Sequence, residues 1–460
     1  MNATEVRKKG GPKAAKKAGS RSSSRASETS RDRLQERVDH VVNATTAIDM
    51  HSHLFAPEFG AINLWGIDEL LTYHYLVAEY FRAPNALKTA AFWALPKSGQ
   101  ADEVWRALFV DSTPISEAAS GIVHILTSFG IDPAARDLRE ARGWFSARNA
   151  TEHASAVLAA AGIDEVCMTN DPLDPAEAFT WERAAHGDGF SRCFRAALRL
   201  DRVINDLPAS IDALRAQGYD VDAQFGTIMV SELRRFIANW ISRMRPLYLA
   251  VSLAPEWIWA GAQARLDDRV PASLGNRVIR EVIIPACREH DLPFALMIGV
   301  RRQVNPELRL AGDGVGAADV TALERLCSEF PETRFLATYL ARENQHALCV
   351  AARKFSNLLP FGCWWFVNNP SLVLEITRMR MEMLGTTFIP QHSDSRVLEQ
   401  VIYKWARARR IVSQVLAEAY DRVETAGLEV SDSQIKRDAE RLLRGNFVNW
   451  TQASREGQAV

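Results

Sequence analysis

Eight short runs of apolar and β-branched residues punctuate this chain, at 46–50, 165–168, 194–198, 247–251, 294–298, 335–339, 358–361 and 387–389. From the fourth onward they are separated by helical lengths of sequence. A strand that is apolar along its whole length must be covered on both faces, the situation of parallel strands beneath helices. Eight of them point to a closed barrel rather than an open doubly wound sheet. The expected fold is therefore α/β, a (β/α)8 barrel of the TIM type, over residues 35–455.

One spacing is abnormal. About 110 residues lie between the first and second runs, too many for a structureless loop inside a compact domain. They carry Trp93, Trp105, Phe109, Trp144 and Phe145 among Ala and Leu at helical spacing. The expectation is a helical insertion after strand 1, at about residues 66–160, that packs over the barrel mouth around its own aromatic core. A further helical segment is expected within 201–240, between strands three and four. Residues 1–34 are rich in Lys, Ser, Arg, Gly and Ala and poor in large apolar side chains. Such a segment buries too little to offset its ordering entropy and reads as a disordered basic tail.

Composition narrows the function. A hydrophobic fraction of 47% sustains a large core, and a formal net charge of -1 argues against wrapping nucleic acid. No apolar run reaches membrane-spanning length, and no apolar segment follows Lys8, Lys9, Lys13, Lys16 and Lys17 as a secretory signal requires. The six cysteines form no CxxC pair, which favours a reduced, cytoplasmic protein. A homo-oligomer remains open.

The sharpest chemical signal is His51-Ser52-His53 at the end of the first run. Strand side chains alternate, so both imidazoles face one side, toward the barrel axis, and can chelate one divalent ion. Nitrogen ligands favour Zn2+. Asp394, in His392-Ser393-Asp394-Ser395-Arg396, follows the eighth run. Strands one and eight are neighbours in a closed barrel, so this carboxylate reaches the same ion. Taken alone, Asp394 reads as the cap of a helix starting near Arg396. Beside the two histidines it reads as a metal ligand and a proton acceptor.

The pairing of His51-Ser52-His53 with His392-Ser393-Asp394-Ser395-Arg396 resembles the amidohydrolase superfamily, and further segments resemble the uronate (glucuronate) isomerases within it. These are the segment ending in His74-Tyr75, Met168-Thr169-Asn170-Asp171-Pro172, Arg199-Leu200-Asp201-Arg202, Gly362-Cys363-Trp364-Trp365-Phe366 and Gly445-Asn446-Phe447-Val448-Asn449-Trp450. They run in the family's order across about residues 46–450. The chain departs from the pattern at Met297, where the family carries a strand-five His, and at Asn170, where it carries Asp.

The resemblance implies an aldose–ketose isomerase acting on a uronic acid, of the D-glucuronate to D-fructuronate type, by metal-assisted proton transfer. It implies one Zn2+ on His51, His53 and Asp394, and a proton moved by Asp394 or Tyr75. It also implies a hydroxyl contact from His74 and pocket walls from Trp364 or Trp365, only one of which faces inward if strand alternation holds. Arg199 and Arg396 suit the sugar carboxylate, because a guanidinium meets it in a planar fork. The rival readings are a metal-dependent hydrolase or lactonase of the same superfamily and a barrel that binds without catalysis.

Overall fold

Seven of the eight runs form the parallel strands of one sheet in the computed structural model, which describes residues 19–184, 192–222, 224–260 and 273–452. In chain order the strands are β1 (Ala47–Ser52), β2 (Ile163–Asn170), β3 (Phe194–Arg199), β4 (Leu249–Leu253), β5 (Phe294–Ile298), β6 (Val300–Arg301), β7 (Gly314–Val315), β8 (Phe335–Tyr339) and β9 (Leu358–Pro360). The sheet order is β1-β2-β3-β4-β5-β8-β9, and β6 pairs with β7 as a small antiparallel hairpin that apolar periodicity did not reveal.

Alternation along each strand sorts side chains into two cores. Val166, Leu198, Val251, Leu296 and Phe335 point outward into a large cluster shared with the covering helices. Ile48, Cys167, Ala197, Ala250, Ala295, Met297, Leu336 and Leu359 point to the opposite face and meet one another. Strands from one edge of the sheet to the other share that inner cluster, so the sheet curls around it.

The expected eighth strand is corrected to a single parallel bridge, Phe361 with Ile389. Pro390 follows Ile389 and has no N–H to extend a ladder. The segment still spans the gap between the sheet edges. The Ile389 N–H donates to the Pro360 carbonyl at 3.0 Å and the Gly362 N–H to the Ile389 carbonyl at 2.8 Å. On the other side the Asp394 N–H donates to the His51 carbonyl at 3.1 Å, and the His53 N–H to the Ser395 carbonyl at 2.7 Å.

Between β1 and β2, after a 3-10 segment at Pro57–Ile62, lie eight helical pieces, from Ile67–Leu71 to Ala150–Ala161. Those up to Phe145 bury a separate core containing Leu70, Phe92, Trp105, Ile122 and Phe145, which Val397 and Tyr403 join from the chain following Asp394. Helix Ala150–Ala161 belongs to the outer core of the sheet instead. Segment 201–240 is helical, in Asp201–Asn205, Leu207–Ala216 and Thr227–Met244.

The disordered tail expected over residues 1–34 needs correction at its boundary; residues 1–18 lie outside the described residues. A helix, Gly19–Ala44, begins inside the expected tail. Leu34, Val38 and Val42 recur at a spacing of four and form a buried stripe. Beside it Arg31 pairs with Asp421 and Gln35 donates to Ser413, both on helix Gln400–Thr425.

Candidate active site

The sheet edge and the bridging segment bring His51, His53 and Asp394 together. His53 Nε2 lies 3.4 Å and His51 Nε2 3.8 Å from Asp394 Oδ1. One ligand atom from each residue lies within 4.8 Å of the other two. His51 Nε2 and Asp394 Oδ1 are buried and have no hydrogen-bond partner. Two histidine nitrogens and a carboxylate oxygen that converge, two of the three atoms buried without a partner, fit a divalent cation. Burial drives the His51 pKa down to about 3 against the opposing pull of Asp394. Burial, then the charges of Arg396 and Arg199, hold His53 well below its usual value. Both rings are thus neutral, the state in which imidazole ligates metal.

Asp394 does not cap a helix. The following helix starts at Gln400, and the Gln400 side chain itself receives the Arg396 and Val397 N–H groups. Asp394 instead adopts φ +49°, a left-handed backbone uncommon for a residue with a Cβ. Its neighbours hold it there. The Ser393 N–H donates to Asp49 Oδ1 at 2.8 Å, and Lys404 Nζ donates to the Ser393 carbonyl at 2.7 Å. Asp49 and Lys404, both buried, thus grip the N–H and the carbonyl of Ser393, the residue that precedes Asp394.

The insertion contributes the other wall. His74 opens helix His74–Tyr80, and its ring stands edge-on to Tyr75 at 4.8 Å and to Trp365 at 5.4 Å between centroids. These three, with Glu79, Glu117 and Asn368, line a cavity of about 240 Å³. The Tyr75 hydroxyl is buried without a partner, and burial followed by Tyr73 and Asp394 pushes its pKa well up.

The two arginines differ. Arg199 is already forked onto Asp201, at 3.1 Å and 2.8 Å. Arg396 is half-buried, has no carboxylate partner among the described residues, and stands close enough to depress both His53 and His74.

No protein-family model matches the chain, and no curated protein matches it. Among solved structures it is similar to a uronate isomerase from Bacillus halodurans, with 46% identity and a TM-score of 0.86 over 92% of this chain and 96% of that one. The chain belongs to the uronate isomerase family. A uronate isomerase from Thermotoga maritima (15% identity, TM-score 0.75, 91% of this chain and 97% of that one) shares the fold. So does a glucuronate isomerase from Caulobacter crescentus (15% identity, TM-score 0.70, 92% and 94%).

In this uronate isomerase fold, Met297 lies in the inner core with Met50 and Trp364, an apolar floor in place of an imidazole. Trp364 and Trp365 are both buried in that cluster, but Trp365 faces the cavity and Trp364 is absent from its lining. Strand alternation does not govern the pair, because Trp365 has φ +41° and opens a 3-10 turn, Trp365–Val367. His392 packs edge-on against His51 with both ring nitrogens unpartnered, and Gly362 lets it approach. A Cβ at Gly362 would run into the ring.

Sequence reasoning missed four contributors: Asp49, Lys404, Thr169 and Tyr248. The Thr169 hydroxyl meets His53 Nδ1 at 2.9 Å, and the Tyr248 hydroxyl meets His51 Nδ1 at 3.2 Å. Asp49 stood in the first apolar run, two residues before His51, and Thr169 inside a quoted segment. Lys404 and Tyr248 carried no local signal.

Proposed function

We propose that this chain interconverts an aldose uronic acid and its ketose, of the D-glucuronate to D-fructuronate type. The reading is supported above all by Arg396, a cation with no carboxylate partner among the described residues, beside the His51, His53 and Asp394 trio of a uronate isomerase family member. The fold is taken as a barrel of the (β/α)8 type in which residues 387–395 span the gap between the sheet edges in place of a regular eighth strand, with a helical insertion over about 66–160 and the barrel over 35–455.

His51, His53 and Asp394 would hold one divalent cation, with zinc favoured by the two nitrogens. Such an ion supplies Lewis acidity at a substrate oxygen without itself carrying a proton. The chain's own residues do the rest. Arg396 binds the sugar carboxylate in its planar fork, and Arg199, held by Asp201, adds positive charge nearby. Asp394 takes the proton from C2 and returns it to C1, while the hydrogen of the C2 hydroxyl passes to the C1 oxygen, which leaves a carbonyl at C2 and a hydroxyl at C1. Tyr75, which keeps its hydrogen, donates to the oxygen that gains negative charge as the enediol forms. His74 contacts a hydroxyl, and Trp365, backed by Trp364, closes the wall against water.

Among the described residues no helix is long and apolar enough to cross a membrane. Buried free thiols at Cys167, Cys287, Cys327, Cys349 and Cys363 suit a reducing cytoplasm. The partner is a small sugar acid rather than nucleic acid, with a homo-oligomer allowed. The test is a panel of uronic acids and lactones, with and without chelator. Metal-dependent ketose formation from a uronate supports the isomerase. Lactone opening without ketose formation replaces it with the hydrolase.

A further inference from the structure

The two imidazoles of the trio are held from behind by the same device. The Tyr248 hydroxyl, 3.2 Å from His51 Nδ1, donates its hydrogen to the Met50 carbonyl at 2.7 Å. The Thr169 hydroxyl, 2.9 Å from His53 Nδ1, donates its hydrogen to the Ser52 carbonyl at 2.9 Å. In both cases the acceptor is the carbonyl of the residue just before the histidine. A hydroxyl has one hydrogen, so once that is given away only lone pairs face the imidazole. Each Nδ1 must then carry the ring's hydrogen, which leaves a bare lone pair on each Nε2, on the side of Asp394.

We propose that Tyr248 and Thr169 are positioning residues that lock His51 and His53 in the Nδ1–H tautomer, so that both Nε2 lone pairs stand ready for a cation. The inference rests on the metal reading of the trio given above. A free neutral imidazole visits both tautomers, and a ring with hydrogen on Nε2 offers the ion no lone pair there. Two separate elements supply the locks. Thr169 lies on β2, next to β1, whereas Tyr248 directly precedes β4 and reaches across the inner core. Each ring is therefore fixed independently, and loss of one lock leaves the other in place.

The test uses Tyr248→Phe and Thr169→Val, which keep side-chain shape and delete one hydroxyl each, with Thr169→Ser as the variant that keeps it. Nitrogen NMR of histidine-labelled, metal-free protein reads the tautomer ring by ring. Zinc affinity is measured by competition with a chelator. Both rings should be Nδ1–H in the parent protein. Tyr248→Phe should release His51 alone and Thr169→Val should release His53 alone, with zinc affinity falling about 10- to 100-fold in each. Thr169→Ser should recover most of that loss, which a general packing defect would not allow. An Nε2–H ring in the parent protein, or both deletions with unchanged tautomers and affinity, overturns the lock. Locked rings in a parent protein that takes up no zinc would uphold the lock and overturn the metal reading instead.

Discussion

The two walls of the site are built on opposite plans. The trio wall is backbone-bound: His51 and His53 sit at the end of β1, tied to Asp394 and Ser395 by main-chain hydrogen bonds, with Asp49 and Lys404 gripping Ser393. The His74 and Tyr75 wall rides on an insertion with a core of its own. Strands fix positions to the tolerance that a metal ligand set needs, whereas a separately packed insertion can be varied to suit a substrate without disturbing the ligands. The walls meet where Glu399 accepts the Gly66 N–H through both oxygens, at 3.1 Å and 3.3 Å, and lies 2.7 Å from His153 Nε2.

The largest expected effect comes from the trio wall. Asp394→Ala removes the proposed ligand and proton carrier together, so activity should fall about a thousandfold or more. Metal content should fall with it while the circular dichroism spectrum stays that of the parent. A variant that keeps both metal and turnover would erase the distinction between the walls. Next is the seam. Glu399→Ala leaves the buried Gly66 N–H and the His153 ring without their partner and should cost about 3 kcal/mol in denaturant unfolding. Proteolysis should then open the chain within 66–150 before the strands are cut. Simultaneous loss of both regions would mean that they fold as one unit.

Legibility in the sequence followed the same division. The strands were readable because a doubly covered strand must be apolar throughout, and the third run pairs with β2 over five residues and with β4 over two. The convergence of His51, His53 and Asp394 was readable because metal-binding chemistry restricts residue type and strand order brings distant ends together. Tyr248 was not, because a tyrosine in an apolar run looks like core until its hydroxyl is seen between His51 and the Met50 carbonyl. Lys404 was hidden in the same way, since a lysine on a long helix reads as solvated until its burial is known. The eighth run was overread because apolarity forecasts burial, whereas Pro390 decides whether a ladder follows.

A smaller effect distinguishes the arginines. Arg396→Lys keeps the charge but loses the fork, and should raise the KM for a uronate about tenfold with a lesser change in kcat. An unchanged KM would move the carboxylate contact elsewhere, to Arg199 or to the insertion wall.

The smallest effects test how closely the insertion is fitted to the barrel. Gly121 lies in helix Glu117–Ser128, and a Cβ there would come within 2.8 Å of the Tyr403 ring on helix Gln400–Thr425. Gly143 lies in helix Arg139–Ser146, and a Cβ there would meet nothing within 4 Å. Replacing a helical glycine by alanine gains roughly 0.5–1 kcal/mol from backbone entropy alone. At Gly143 nothing opposes that gain, so Gly143→Ala should raise Tm by a few degrees at most. At Gly121 the ring must move within a packed core, and overpacking of this kind costs about 1–3 kcal/mol. Gly121→Ala should therefore lower Tm, and it should also weaken uronate binding, because Glu117 on the same helix lines the cavity. If both substitutions stabilise, the seam at Tyr403 yields easily and the insertion is free to shift over a fixed trio. Opposite signs would mean that the barrel helix sets where His74 and Tyr75 stand.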